Sequence, residues 1–198
     1  MSLAKKIWEP ATIHHVTLEW LRAERGTNLA SLLAQLPQEL LAPGLAALLD
    51  QPDLNNADEN RARLRLLYMI RSPFVGEIPP DTAWFQVKSL TNDDLSELYI
   101  VNHADWNDPR DNNELGKVAV RKRLALTQET TAWPKPILWG HDKRGPFTIL
   151  EGNHRLGAYA FSGMSGLDIP VLIGLSPIKC VWHKPDQCQF PMQGLVRR

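Results

Sequence analysis

Phe147-Thr148-Ile149-Leu150-Glu151-Gly152-Asn153-His154-Arg155-Leu156-Gly157-Ala158-Tyr159-Ala160 is the stretch on which the reading of this chain turns. An apolar run that ends at Leu150 reads as a buried strand, and a helix follows within four residues. Gly152 permits the sharp reversal between them, and Asn153 is placed to cap the helix. The first-turn N–H groups of such a helix have no internal acceptor and sit at the positive end of its dipole. That makes an anion site, to which His154 and Arg155 add side-chain donors. Gly157, Ala158 and Ala160 keep the helix thin where it packs on a sheet.

Outward from this corner the pattern is mixed. Residues 84–87, 98–101, 136–139, 147–150 and 169–173 read as strands, with a turn at 141–145. Helices are expected at 114–126 and 154–162, the second ended by Gly163. Strands and helices interleaved this way need helices packed on a small sheet.

Glu151-Gly152-Asn153-His154-Arg155 after an apolar strand, a small-residue helix, and then Ile169-Pro170-Val171-Leu172-Ile173 resembles the ParB/sulfiredoxin-like superfamily. The resemblance covers residues 84–175 and includes Lys135-Pro136-Ile137-Leu138-Trp139. It implies an α+β fold with a small mixed sheet and packed helices, here preceded by an N-terminal helical region. It also implies that Gly152, Asn153, His154 and Arg155 contact a nucleotide or another phosphate, with Glu151 orienting the loop or assisting proton transfer. Two departures narrow it. The loop cysteine of sulfiredoxins is replaced by Asn153, which argues against thiol chemistry. A Pro-rich tail stands where partition-type ParB proteins carry a helix-turn-helix, which argues against sequence-specific DNA partitioning.

The charge is unevenly spread. Residues 81–114 carry eight acids against Lys88 and Arg110, whereas residues 115–155 carry eight bases against Glu129, Asp142 and Glu151. The basic set includes Lys117, Arg121, Lys122 and Arg123 on one expected helix and Lys143 and Arg144 in the turn, a convergence that suits a phosphate. In the acidic loop Asp105 or Asp108 could serve as the base or as the Mg²⁺ ligand, Asp108 being the metal candidate, with His103 as a rival base. Pro109-Arg110 loosely echoes an Asn-Pro-Arg-like box of the superfamily, which brings Arg110 to the ligand. Trp106 is placed to stack on a base.

The first third reads as helical. A helix at 18–25 turns Trp20 and Leu21 inward and closes at Gly26. Thr27 caps a leucine stripe at Leu29, Leu32, Leu33 and Leu36. Pro43-Gly44 interrupts before Leu45, Leu48 and Leu49. Asn56 and Glu59 have the form of a capping box for a helix at 57–70, stopped by Ser72-Pro73, with Arg61, Arg63 and Arg65 as a solvated face. His14 and His15 on a strand or loop point opposite ways and make poor joint ligands. The expected organisation is a helical region at 1–75, an α/β domain at 76–176 and a packed tail at 177–198.

The composition bounds the rest. Lys and Arg number 22, and so do Asp and Glu, so the 198 residues carry no net charge, which disfavours a generic nucleic-acid binder. No run approaches the roughly 18 apolar residues of a spanning helix. The opening MSLAKKIWEP lacks the apolar stretch of a signal peptide. Cys180 and Cys188 give no disulfide framework, and with His183 they lack the paired knuckle of a zinc site. A reduced, cytoplasmic protein is therefore expected. The function implied is binding of a nucleotide (ATP or CTP) or a phosphorylated small molecule, extended to a Mg²⁺-dependent phosphotransferase or phosphohydrolase. In that enzyme Glu151, His154 and Asp105 would be catalytic, and Gly152, Asn153, Arg155, Arg110 and Arg121 would bind phosphate. The alternatives are a non-catalytic nucleotide-sensing or protein-interaction module, with a homo-oligomer formed through the N-terminal helices, and a ParB-like nuclease.

Overall fold

Ile137, Leu138 and Trp139 are consecutive and all fully buried, so their strand must have apolar cover on both faces. The computed structural model, which describes residues 3–25, 44, 48–100, 133–162 and 169–181, supplies that cover. Among these residues six strands form one mixed sheet: β1 (Trp8–Ala11), β2 (Ala83–Leu90), β3 (Leu98–Ile100), β4 (Ile137–Gly140), β5 (Phe147–Glu151) and β6 (Ile169–Leu175). Their order is β1-β2-β6-β4-β5-β3. β6 runs parallel to β4, β5 parallel to β3, and the remaining neighbours are antiparallel. The α-helices are α1 (Ile13–Glu24), α2 (Ala57–Val75), α3 (Asn92–Ser96) and α4 (Asn153–Ser162), with a 3₁₀ turn at Leu3–Lys5. The fold is therefore mixed α+β, and none of the described helices is long and apolar enough to cross a membrane.

Side-chain alternation sends each strand's residues to two cores. Leu138, Ile149, Val171 and Ile173 pack with Leu156 and Tyr159 of α4, Leu95 of α3 and Leu3. Ile137, Trp139 and Leu172 pack on the other face with Val16, Trp20 and Leu21 of α1 and Leu66 and Leu67 of α2. Each fully buried Leu, Ile or Val contributes roughly 1.5–3 kcal/mol, so both faces are needed to hold the sheet. Pro170 lies in a strand with neighbours on both sides, and it is tolerated because the β2 register shifts between Val87 and Leu90 opposite it.

The N-terminal region departs from the helical expectation. Trp8–Ala11 pairs with β2 and forms the sheet edge, where Pro10 costs no interior hydrogen bond. Lys6 Nζ reaches the buried Asp94 carboxylate at 2.6 Å and ties the N-terminus to α3. The helix expected from residue 18 already begins at Ile13, capped by Thr12, so His14 and His15 belong to its first turn and not to a strand. The buried apolar residues of α1 and α2 pack against the chain's own sheet, whereas Tyr68 and Met69 of α2 are exposed.

α2 starts where expected, with Asn56 Oδ1 accepting from the N–H groups of Asp58 and Glu59. Ser72-Pro73 does not stop it. Arg71 leaves helical geometry (φ −133°, ψ 27°) and the chain resumes for a further turn to Val75, the kink expected of a helical proline. The solvated arginine face is also corrected. Arg63 is fully buried; its Nη1 donates to the Leu48 carbonyl and Glu59, and its Nη2 to the Asp53 carbonyl and Asn60. Arg61 and Arg65 are exposed. The helices expected at 27–36 and 114–126, the stop at Gly163, and His183 and Cys188 of the tail lie outside the described residues.

Candidate functional site

β5 carries Glu151 as its last residue, and Gly152 turns the chain with φ +99°. A side chain there would be strained, and its Cβ would stand 2.8 Å from Pro136 Cβ and 3.1 Å from Arg155 Nη2. Leu156 N–H donates to the Gly152 carbonyl at 2.9 Å, the first bond of α4. The N-cap is thus Gly152, one residue earlier than the expected Asn153, because the reversal itself supplies the non-helical residue. Asn153 becomes the first helical residue, and its side-chain Oδ1 is buried with no hydrogen-bond partner among the described residues. His154 is the second residue of α4.

Arg155 does not face outward. Its side chain is 5% exposed, and its Nη2 donates to Glu151 Oε1 at 3.0 Å. Its Nη1 donates to the Pro134 carbonyl. Burial pulls the guanidinium below its ordinary pKa, an effect opposed by Glu151, Glu19 and Tyr159. Burial likewise raises the Tyr159 phenol, with Arg155 opposing. The guanidinium does not stand free at the helix start: the i, i+4 spacing brings Arg155 back onto Glu151, and the segment before β4 offers the Pro134 carbonyl in reach.

The same peptide group is gripped from the other side. Lys135 N–H donates to Glu19 Oε2 at 3.0 Å, so the peptide joining Pro134 to Lys135 gives its carbonyl to α4 and its N–H to α1. Lys135 Nζ donates to Gln86 Oε1 at 2.8 Å and lies 3.9 Å from Glu19. Glu19, Lys135, Gln86 and the neighbouring His15 went unassigned in the sequence. The available signal was Glu19 itself, a carboxylate three residues after Val16 on a helix whose Val16, Trp20 and Leu21 are buried.

Among the described residues the basic convergence is smaller than the sequence count suggested. Lys143 and Arg144 occupy the hairpin turn before Phe147, whereas Glu151 ends β5, so the five-residue length of that strand, roughly 15 Å, lies between the turn and Glu151. Arg144 pairs with Asp142 at 2.7 Å, and Lys143 lies over the rings of Trp8 and Phe85. Asp105, Asp108, Arg110, Arg121 and Trp106 lie outside the described residues. Among the described residues no group of three or more His, Cys, Asp or Glu is arranged to hold a metal ion. Glu151, which could offer an oxygen to Mg²⁺, is paired with Arg155.

A serine, a histidine and an aspartate meet elsewhere, at the end of β6. Ser176 Oγ donates to Asp81 at 2.8 Å, and His141 Nδ1 lies 3.1 Å from the Ser176 carbonyl. The hydroxyl proton therefore goes to a carboxylate directly, which is not the order that activates a serine nucleophile.

Compared with known proteins, the chain matches no family model, no curated protein and no solved structure.

Proposed function

We propose that this chain has a ParB/sulfiredoxin-like fold and binds the phosphate of a nucleotide, ATP or CTP, or of a phosphorylated small molecule, at the 151–155 turn. One observation carries the reading. A buried strand ends in a glycine at φ +99° and delivers the chain directly into a ten-residue helix, whose first amides are then available to an anion.

The roles differ from those the resemblance implied. The backbone of Asn153, His154 and Arg155 makes the cradle, while Arg155 and Glu151 brace it from behind. Their mutual pairing favours binding over turnover. The Mg²⁺-dependent phosphotransferase or phosphohydrolase is the extension of the reading, and it would draw its base and metal ligand from Asp105 and Asp108, with Arg110 and Arg121 as further phosphate donors. A non-catalytic nucleotide sensor is the second reading, favoured by the same pairing.

The test is calorimetric titration of the full chain with ATP, CTP and inorganic phosphate, with and without Mg²⁺. Asn153→Asp places a carboxylate in the first turn of α4, which the helix dipole favours and a bound phosphate does not. Affinity is expected to fall at least about tenfold, equivalent to roughly 1.4 kcal/mol, with the variant checked by circular dichroism to be folded under the assay conditions. No binding of any of the three probes, or equal affinity in the variant, refutes the assignment. Release of product from ATP or CTP with Mg²⁺ present would decide for the enzyme over the sensor.

A further inference from the structure

His15 is the third residue of α1, half-buried against the segment that precedes β4. Its Nδ1 lies 3.2 Å from the Thr12 amide nitrogen and 2.8 Å from Thr12 Oγ1. An amide N–H can only donate, so Nδ1 must hold a lone pair and the imidazole must be neutral with its proton on Nε2. The Thr12 hydroxyl can turn round and accept from a protonated Nδ1, but the Thr12 amide cannot. Protonation therefore costs the helix its side-chain cap on that amide.

We propose that His15 is a proton-sensitive latch on the first turn of α1, closed while its imidazole is neutral and opened when it takes up a proton. The surroundings act in the same sense. Lys135 approaches from the segment before β4, and His14 stands beside it on the helix; Glu19, one turn on, opposes them. The positive end of the α1 dipole also disfavours a cation there. Burial first, then Lys135 and His14, hold the His15 pKa below its ordinary value. A base whose pKa is depressed by folding contributes stability that is complete above the unfolded value of 6.5 and is lost as pH falls through the lower folded value.

The latch has a route to the rest of the fold. Glu19 lies one turn along from His15, and its carboxylate holds the Lys135 N–H. Fraying of the first turn of α1 loosens one side of the grip on the 134–135 peptide, whose other side is held by Arg155. The consequence is independent of whether a phosphate binds at the 151–155 turn.

His15→Gln supplies the test, because Thr12-x-x-Gln is a capping-box pattern with an acceptor that does not titrate. In the full chain, wild type is expected to lose melting temperature relative to His15→Gln as the buffer is taken from about pH 7 to about pH 5, the window in which imidazole titrates. The His15 imidazole resonances should titrate with a midpoint below the ordinary 6.5. The Thr12 amide should lose hydrogen-exchange protection over that same step in wild type and keep it in the glutamine variant. Parallel melting curves for the two proteins, a His15 midpoint at or above 6.5, or a Thr12 amide equally protected at both ends of the window would each overturn the latch.

Discussion

Removing the Arg155 guanidinium is expected to damage the fold before it affects any ligand. The side chain is 5% exposed and spans two elements, with Nη2 on Glu151 at 3.0 Å and Nη1 on the Pro134 carbonyl. Hydrogen bonds to a charged group are worth about 1.5–3 kcal/mol each. In Arg155→Ala the Glu151 carboxylate, 23% exposed, regains water, so its share is taken at the lower end. The Pro134 carbonyl lies in the packed junction and loses its donor there. Relief of the buried cation's desolvation offsets part of both. The net loss is about 3 kcal/mol, which for a chain of this size lowers the melting temperature by roughly 6–12 °C. Arg155→Lys keeps the charge but cannot bridge both acceptors, and about half of the loss is expected. Urea unfolding of the full chain followed by far-ultraviolet circular dichroism measures both. A loss below about 1 kcal/mol for the alanine variant, as an exposed arginine gives, would refute the inward placement of this side chain.

Gly152→Ala is expected to cost about 1–3 kcal/mol, since it must adopt φ +99° and push its Cβ to 2.8 Å from Pro136; a stability within a few tenths of wild type in the same unfolding assay would count against the turn geometry. Arg63→Ala should be far more damaging than Arg61→Ala, about 3–5 kcal/mol against about 0.5 or less, because only Arg63 is buried on Glu59, Asn60 and the Leu48 and Asp53 carbonyls. Equal melting temperatures for these two variants would contradict the arrangement.

The central sheet was legible because its strands are short apolar runs bounded by turn residues, and the corner at Gly152 because a glycine between a strand and a helix has few other uses. β1 was not legible. Four residues containing a proline carry no periodic signal, and their conformation is set by pairing with β2, more than seventy positions away in sequence. The start of α1 was missed for a related reason. The Thr12 cap is closed by a histidine, which as a neutral acceptor does the work that Glu or Gln does in the usual pattern. The arginines of α2 show a signal present but misread. Residues two apart on a helix stand about 200° apart, so Arg61, Arg63 and Arg65 cannot share a face. Arg63 falls four residues after Glu59 and three before Leu66, on the buried stripe, and the other two fall opposite.

The candidate site was half legible, and what was missed changes how an anion would be held there. Counting charges by segment put an excess of bases around the 151–155 turn, yet each described base of that set is already engaged: Lys135 with Gln86 and Glu19, Lys143 over aromatic rings, Arg144 with Asp142, Arg155 with Glu151. A segment count treats charges as a field, whereas in the fold they act in pairs within a few ångströms, and a neutralised pair contributes little beyond a Debye length of about 8 Å. In the proposed site a phosphate would therefore be held by main-chain amides and the α4 dipole, which do not depend on side-chain charge. Arg71 faces Glu24, Lys6 faces Asp94 and Arg155 faces Glu151, each with a buried partner or itself buried, so these pairs tie one segment of the fold to another.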